Sequence, residues 1–437
     1  MNIHFHGAAH EVGKSCIEIV TDDGAQYLLD AGVKFIQGGV VYPEFLAHIT
    51  TMDAVFLSHA HMDHAGALPF LEHRKLNCPI YTTRMTWKTA NLLLEDAYHI
   101  AQLEKLHPAY KKRDIRRATR DVKEIDYDRD YRTPDGAVAF RYLNSGHIPG
   151  GASVLLELEG KRVLYTADIN TQETLLMVRS QLAQEMRALG VSDAAPLDAL
   201  IIETTYGNRE HPDRAQTHQA FVHAVEEALE RGGNVLVPAF GVGRAQEVLL
   251  MLSALPSHVP IFLDGMARTI AKLIVAEDDP YVRKRHALAE MLRRTTMVTR
   301  ATRTQVLSTP GNVIVSTSGM VQGGPSVYYT EQMYNRPDDT IILTGYQVEG
   351  TRGRSLWEDH LFYRHGTALP VTCTVQKFDF SAHYGMGAIH DLITDVPHKK
   401  LILQHGDHSA LDAVATFART HLTSEVHVPY NGDVITV

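Results

Sequence analysis

Short apolar runs, each cut off by a polar or glycine-rich turn, recur along the chain and predict many short strands. In residues 1–58 they read CIEIV, QYLL and AVFL, and TDDGAQ between the first two is a hairpin signal. Helical spacing follows at Leu68, Phe70 and Leu71 and again over 86–100. Further strands are predicted at AFRYLN, KRVLY and ALIIE. From about Asn208 the texture changes. A helix over 215–231 leads into GGNVLVPAFGVGRAQEVLLML, which reads as strand, glycine turn and helix. PIFLDGMA, GNVIVSTSGM and DTIILTGYQVEGTRGRSL repeat the strand-then-glycine pattern, so this stretch predicts parallel α/β units. After about residue 372 the first texture returns with QKFDF, KKLIL, VHVPY and DVITV. The expected division is a first domain over 1–207, an inserted domain over 208–372, and completion of the first over 373–437.

Composition narrows this picture. A chain of 437 residues is too long for one compact core. The start MNIHFHGAAHEVG lacks a charged segment followed by an apolar one, and no apolar run approaches the roughly 18 residues of a membrane span. Cys16, Cys78 and Cys373 lie far apart and form no CxxC pair, as expected of small core residues in a reducing cytosol. These features predict a cytoplasmic protein with no membrane partner. The formal charge of −9 runs against a protein that coats nucleic acid by charge alone. A nucleic-acid partner would then be met by local basic patches and by metal ions, whose charge the formal count omits. The basic run over 103–123 supplies Lys105, Lys111, Lys112, Arg113, Arg116, Arg117, Arg120 and Lys123. Such a run is most often a solvated helix face; the alternative is contact with a phosphate backbone.

The chemistry concentrates after the strand AVFL. Within DAVFLSHAHMDHA, three imidazoles and a carboxylate (His59, His61, Asp63, His64) leave one loop. An extended turn sends His59 and His61 to one side, able to share a cation, while Asp63 and His64 leave in another direction and can serve a second. Imidazole with carboxylate and no thiolate is the donor set of a hydrolytic rather than a structural zinc site. His147, in the turn NSGHIPGG, and Asp168, at the end of KRVLYTAD, both stand at strand ends, as donors to an open-faced site must. Glu203 ends another apolar strand, His383 lies past QKFDF, and His405 directly follows LILQ, with Gly406 permitting a sharp turn. His4, His6 and His10 are expected to be structural or to face substrate.

HxHxDH is the motif of the metallo-β-lactamase fold, and the chain resembles a β-CASP nuclease of that superfamily, similar to bacterial and archaeal homologues of the pre-mRNA 3′-end cleavage endonuclease. HAHMDHAG, ETTYGNREHPDR, PAFGVGRAQEVL, STSGMVQGGPS, GYQVEGTRGR, FSAH and QHGD carry the resemblance over essentially the whole length. It implies an α/β fold, an αββα sandwich with an inserted α/β β-CASP domain. It implies one cation on His59, His61, His147 and Asp168 and a second on Asp63, His64, Asp168 and His405, with Asp168 bridging and Asp63 also catalytic. Both are expected to be zinc, with manganese compatible with the same donors.

The implied reaction is hydrolysis of RNA to 5′-phosphate and 3′-hydroxyl ends, endonucleolytic on single strands, with a 5′-exonucleolytic mode as the variant. His383 would protonate the leaving oxygen and Glu203 would orient it. Asp30 and Asp407 would support ligands as hydrogen-bond acceptors. The glycine-rich stretch 316–326, through Ser318, Gly319, Gly323 and Gly324, would cradle a phosphate; glycine turns without phosphate are the alternative. His405, where DNA-processing members usually carry an aliphatic residue, favours RNA over DNA. Relatives imply a homodimer. Two departures stand out: Ala167 where glycine is usual, and Tyr384-Gly385-Met386 after FSAH. The competing readings are a DNA-end nuclease, a silent RNA-binding scaffold and a small-substrate hydrolase.

Overall fold

The computed structural model describes residues 1–36, 39–364 and 366–437. It divides into two compact units, one of Met1–Glu173, Arg179–Glu210 and Ala382–Val437, the other of Thr174–Val178 and His211–Ser381.

The first unit holds two seven-stranded sheets. One runs in the order Val434–Thr436, Asn2–Gly7, Cys16–Val20, Gln26–Leu29, Ala54–Phe56, Ile80–Thr83 and Val122–Ile125. The other runs Glu425–His427, His398–Gln404, Leu197–Glu203, Lys161–Tyr165, Ala152–Leu158, Val138–Asn144 and Tyr131–Arg132. Alternation along the strands sorts their side chains between two cores. Ile3, Phe5, Ile17, Tyr27 and Phe56 of the first sheet meet Phe140, Tyr142, Val154, Val163 and Ile201 of the second, all buried. The opposite face of the second sheet (Leu143, Leu155, Leu164, Leu200, Ile202) packs on Ile389, Leu392, Leu411 and Val414 from the helices Met386–Asp395 and His408–His421. Each such side chain contributes about 1.5–3 kcal/mol when fully buried, which makes this double layer a rigid frame. With the helices Leu68–His73, Arg84–Leu103 and Lys112–Asp121 beside the first sheet, the unit is an αββα sandwich. TDDGAQ makes the expected hairpin, pairing Ile17 with Leu29 and Val20 with Gln26.

The second unit is built on a six-stranded sheet whose neighbouring strands are all parallel, ordered Thr296–Met297, Ile261–Asp264, Val313–Ser316, Val235–Pro238, Thr340–Leu343 and Thr374–Lys377. This is the α/β pattern predicted from the strand-glycine-helix repeats. The boundaries differ from those read in the sequence. Thr374–Lys377 pairs in register with Thr340–Leu343, so this unit continues to Ser381 rather than ending at 372. Its short first segment, Thr174–Val178, is held by Glu247, which accepts from the amides of Leu175 (3.0 Å) and Leu176 (2.8 Å).

Candidate active site

Every donor residue sits just past the carboxyl end of a strand. His59 follows Ala54–Phe56, His147 follows Val138–Asn144, Asp168 follows Lys161–Tyr165, Glu203 closes Leu197–Glu203, and His405 follows His398–Gln404. Lys161–Tyr165, Leu197–Glu203 and His398–Gln404 are mutually parallel neighbours. Val138–Asn144 and Lys161–Tyr165 are each antiparallel to Ala152–Leu158, so they run the same way. The topology therefore delivers His147, Asp168, Glu203 and His405 to one edge of the second sheet, while His59 comes from a strand end of the first. Several turns there need left-handed backbone at non-glycine residues: Asp30 (φ 60°), Ala167 (φ 49°) and His405 (φ 52°). The sharp turn expected at Gly406 is thus made by His405. Gly406 is needed because a Cβ there would fall 2.2 Å from Thr204 Oγ1.

His59, His61, His147 and Asp168 form one group of donor atoms, Asp63, His64 and His405 a second, and Asp168, Glu203 and His383 a third. Asp168 is shared through separate oxygens. Its Oδ2 lies 3.5 Å from His59 Nε2 and 3.6 Å from His147 Nε2, while Oδ1 lies 3.3 Å from His64 Nε2 and 3.5 Å from His405 Nδ1. Asp63 Oδ2 is 3.5 Å from His405 Nε2.

Whether divalent cations fit is decided by the far side of each ring. His147 Nδ1 donates to the Ala382 carbonyl (2.8 Å), and His64 Nδ1 donates to Asp30 Oδ2 (2.7 Å). Each Nε2 is thereby turned inward, toward a carboxylate. His59 Nε2, His64 Nε2 and Asp168 Oδ1 are buried and make no hydrogen bond among the described residues. Lone pairs facing lone pairs in a buried pocket require positive charge between them. The donor set fits a pair of cations.

The protonation states agree. Burial, and then the positive charge of His64, hold His59 well below the ordinary imidazole value. Burial likewise lowers His61 and His147, leaving them in the neutral form that binds metal. His64 is the exception: burial would lower it, but Asp168 and Asp30 outweigh burial and raise it well above 6.5. Asp168 and Asp63 are held below the usual carboxylate range, burial being overcome by the surrounding histidines. Asp30 accepts from the Ser58 amide and hydroxyl (both 2.7 Å) and from the Tyr165 hydroxyl (2.8 Å) as well as from His64, which fixes that ring. Sequence reasoning missed Ser58 and Tyr165. Neither carries a local signal beyond standing next to a donor or at a strand end.

His383 Nδ1 lies 2.8 Å from Glu203 Oε1 and is partly exposed, while Glu203 is fully buried. Burial lowers the His383 pKa, but the charges of Glu203 and Asp168 prevail and hold it at about 9. Tyr384, one of the departures noted above, donates from its hydroxyl to the Glu203 carbonyl (2.8 Å).

One expectation changes. Asp407 supports no donor ring; it is exposed and caps the helix His408–His421, accepting from the Ala410 amide (2.8 Å) and the Ser409 hydroxyl (2.8 Å). In the glycine-rich turn of Ser318, Gly319, Gly323 and Gly324, part of the backbone is closed on Ser318. Ser318 Oγ accepts from the amides of Gln322 (3.1 Å) and Gly323 (3.3 Å), and Val321 donates to the Ser318 carbonyl (3.2 Å). Gly319 is required by packing, since a Cβ would lie 2.9 Å from the Phe240 amide. The basic run forms the helix Lys112–Asp121, exposing Lys112, Arg113, Arg116 and Arg120, and its one buried acid, Asp114, binds the Lys111 amide (2.9 Å) and His73 (3.1 Å). His6 pairs with Glu18 (2.9 Å) and stacks on Phe45, a structural role.

An αββα sandwich with a two-group histidine and aspartate cluster at its strand ends, interrupted by a parallel α/β unit, defines a metallo-β-lactamase-type hydrolase. Family matches agree in three places: a metallo-β-lactamase superfamily domain over residues 19–192, a Beta-Casp domain over 245–356, and a Zn-dependent metallo-hydrolase RNA specificity domain over 368–429. Among curated proteins, the chain is 37% identical over 426 residues to "Probable RNase MJ4" of Methanocaldococcus jannaschii, covering 96% of each chain. It is 32% identical to an RNase J-like protein of the same organism, covering 100% of this chain and 99% of the other. A crystal structure of a protein of unknown function from Enterococcus faecalis V583 shares the fold, with a TM-score of 0.61 at 15% identity over 100% of this chain and 99% of that one. The chain belongs to the β-CASP family of the metallo-β-lactamase superfamily and is a metal-dependent phosphodiesterase of that family. No helix among the described residues is long and apolar enough to cross a membrane.

Proposed function

We propose that this protein is a zinc-dependent ribonuclease that hydrolyses phosphodiester bonds of single-stranded RNA endonucleolytically, leaving 5′-phosphate and 3′-hydroxyl ends. The observation that carries this reading is Asp168, whose two oxygens each face a separate group of inward-turned imidazoles. His59, His61, His147 and Asp168 would hold one cation, and Asp63, His64, Asp168 and His405 the other. When bound, such a pair activates water and neutralises charge on the phosphate. The remaining work belongs to the chain. Asp30 and the Ala382 carbonyl keep His64 and His147 in the tautomer with Nε2 inward. His383 carries a proton at Nε2 and gives it to the departing 3′-oxygen as the P–O bond breaks, while Glu203 keeps the ring oriented and charged. The RNase names of the two relatives and the RNA specificity domain matched at 368–429 support RNA as substrate, and the latter supports zinc.

The test is incubation of 5′- and 3′-labelled RNA with the protein, with and without chelator, following fragment size over time. Internal fragments with 3′-hydroxyl ends that vanish with chelator are expected, and a matched DNA should survive. Asp63→Ala or His64→Ala should abolish cutting with the fold retained by circular dichroism. Intact RNA with zinc or manganese present would refute the assignment, and mononucleotides released from the 5′ end alone would refute the endonucleolytic mode.

A further inference from the structure

Beside the donor cluster, three rings that belong to none of its groups come together on the sandwich unit. The Tyr430 ring stacks on His10 with centroids 3.9 Å apart and planes 12° apart. His10 in turn lies 5.5 Å from the His408 ring, with their Nδ1 atoms 3.4 Å apart. The chain ties this group to the site. The Ala8 carbonyl accepts from the His405 amide (2.6 Å), the Gly13 amide donates to His405 Nε2 (3.2 Å), and the Ser15 amide donates to the Asp63 carbonyl (2.7 Å). The loop that carries His10 is therefore laid against both Asp63 and His405. His408 is the third residue after His405 and opens the helix His408–His421.

The ring stack is held rigidly. Asn431 donates to Glu11 (3.0 Å), which also pairs with Lys34 (2.6 Å) and Lys14 (3.1 Å), clamping the Tyr430 turn to the His10 loop. The turn is closed by the Tyr430 amide on Asp433 Oδ2 (2.9 Å) and by Gly432 on the Phe5 carbonyl (2.7 Å). Yet Tyr430 is 59% exposed and belongs to none of the hydrophobic cores. The ring is fixed in place, backed by a second ring and open to water. It is suited to receiving another flat ring.

We propose that Tyr430, backed by His10 and His408, is a stacking platform for one base of the RNA strand, next to the nucleotide whose phosphate is cut. The proposal rests on the ribonuclease reading above and adds to it a specific base-binding subsite. A base presents a π-face whatever its identity, so the platform would be tolerant of sequence and would need an unpaired strand. The pre-fixed ring lowers the ordering needed on binding.

The experiment uses metal-loaded protein and a set of single-stranded oligoribonucleotides of one sequence, each carrying one abasic position, with KM and kcat measured for the wild type, Tyr430→Ala and Tyr430→Phe. In the wild type, a single abasic position should raise KM about tenfold with kcat little changed. Tyr430→Ala should raise KM for intact RNA to a similar extent and lose the abasic penalty at that position, while Tyr430→Phe behaves as the wild type. A purely structural role for Tyr430 would lower stability or kcat without abolishing a position-specific base effect. The platform is overturned if Tyr430→Ala keeps the wild-type KM, or if its abasic profile matches the wild type. Should Tyr430→Ala melt early, Tyr430→Leu, which keeps an apolar cover on His10 but no π-face, gives the same two outcomes. A wild type that neither binds nor cuts RNA removes the ribonuclease reading, and the platform with it; a wild type that cuts RNA with a flat abasic profile removes the platform alone.

Discussion

His383 is the side chain whose charge state says most about the chemistry. A solvated imidazole is mostly neutral at pH 8, whereas Glu203 and Asp168 keep this one charged to about pH 9 against the opposing effect of burial. Because the raised pKa preserves the acid form, activity that depends on it is retained below that value and lost as pH rises through it. Glu203→Gln removes the largest supporting charge, so the alkaline limb of kcat should move to lower pH, and His383→Ala should slow cutting while the metal content stays that of the wild type. A pH profile of kcat for the three proteins decides this; coincident limbs for wild type and Glu203→Gln would defeat the general-acid role. The residues grouped here were named in the sequence from strand-end position, residue type and the family resemblance together. Their supports were not. Asp30 is reached by Tyr165 from 135 positions away, and His147 by a main-chain carbonyl, which no residue type announces. Ala167, a noted departure from glycine, sits at φ 49°, a conformation in which glycine carries no steric penalty.

At the scale of elements, Asp407 shows how a motif can mislead. A carboxylate two residues past a donor histidine invites the reading of ligand support, but a helix begins at His408 and its unsatisfied amides compete for the same side chain. The helix wins because Ala410 N–H lies 2.8 Å away on the local turn. Asp407→Ala should therefore destabilise the protein by about 1 kcal/mol, the usual worth of an N-cap, and leave the metal content unchanged. Asp407→Asn, which still accepts, should recover most of the loss. Thermal melting with metal analysis of the same samples measures both, and loss of metal from Asp407→Ala would restore the support role. A similar local closure occurs in the glycine-rich turn, where the amides of Gln322 and Gly323 donate to Ser318 Oγ. The helix Arg214–Glu230, expected over 215–231, was readable from apolar periodicity. The inserted unit's last strand, Thr374–Lys377, was read two residues late as QKFDF and given to the first domain, because it is an edge strand with half-buried side chains and no clear apolar run.

For the whole molecule, the two units have separate cores, and only one contains the cluster. The sandwich buries its two cores around and outside its sheets, whereas the inserted unit packs Leu236, Ile314, Tyr329, Ile341 and Leu356 in a core of its own. A cation that binds the folded sandwich and not the unfolded chain stabilises that unit, by about 2.7 kcal/mol at a free concentration one hundred times Kd. Chelation should therefore lower the calorimetric transition of the sandwich and leave that of the inserted unit where it was. The pH dependence has a definite sign. Asp168 and Asp30 hold a proton on His64, and a cation taken up at Nε2 must expel it, so binding releases protons and the metal-dependent rise in Tm grows with pH until His64 is neutral without metal. His59, His61 and His147, already neutral from burial, add nothing to that release. Calorimetry at several pH values, with zinc and with chelator, reads both effects at once. Equal shifts of both transitions on chelation would show that the units melt as one body. A metal-dependent shift that did not change with pH would mean that His64 gives up no proton, and therefore that the cation does not sit between His64 and Asp168.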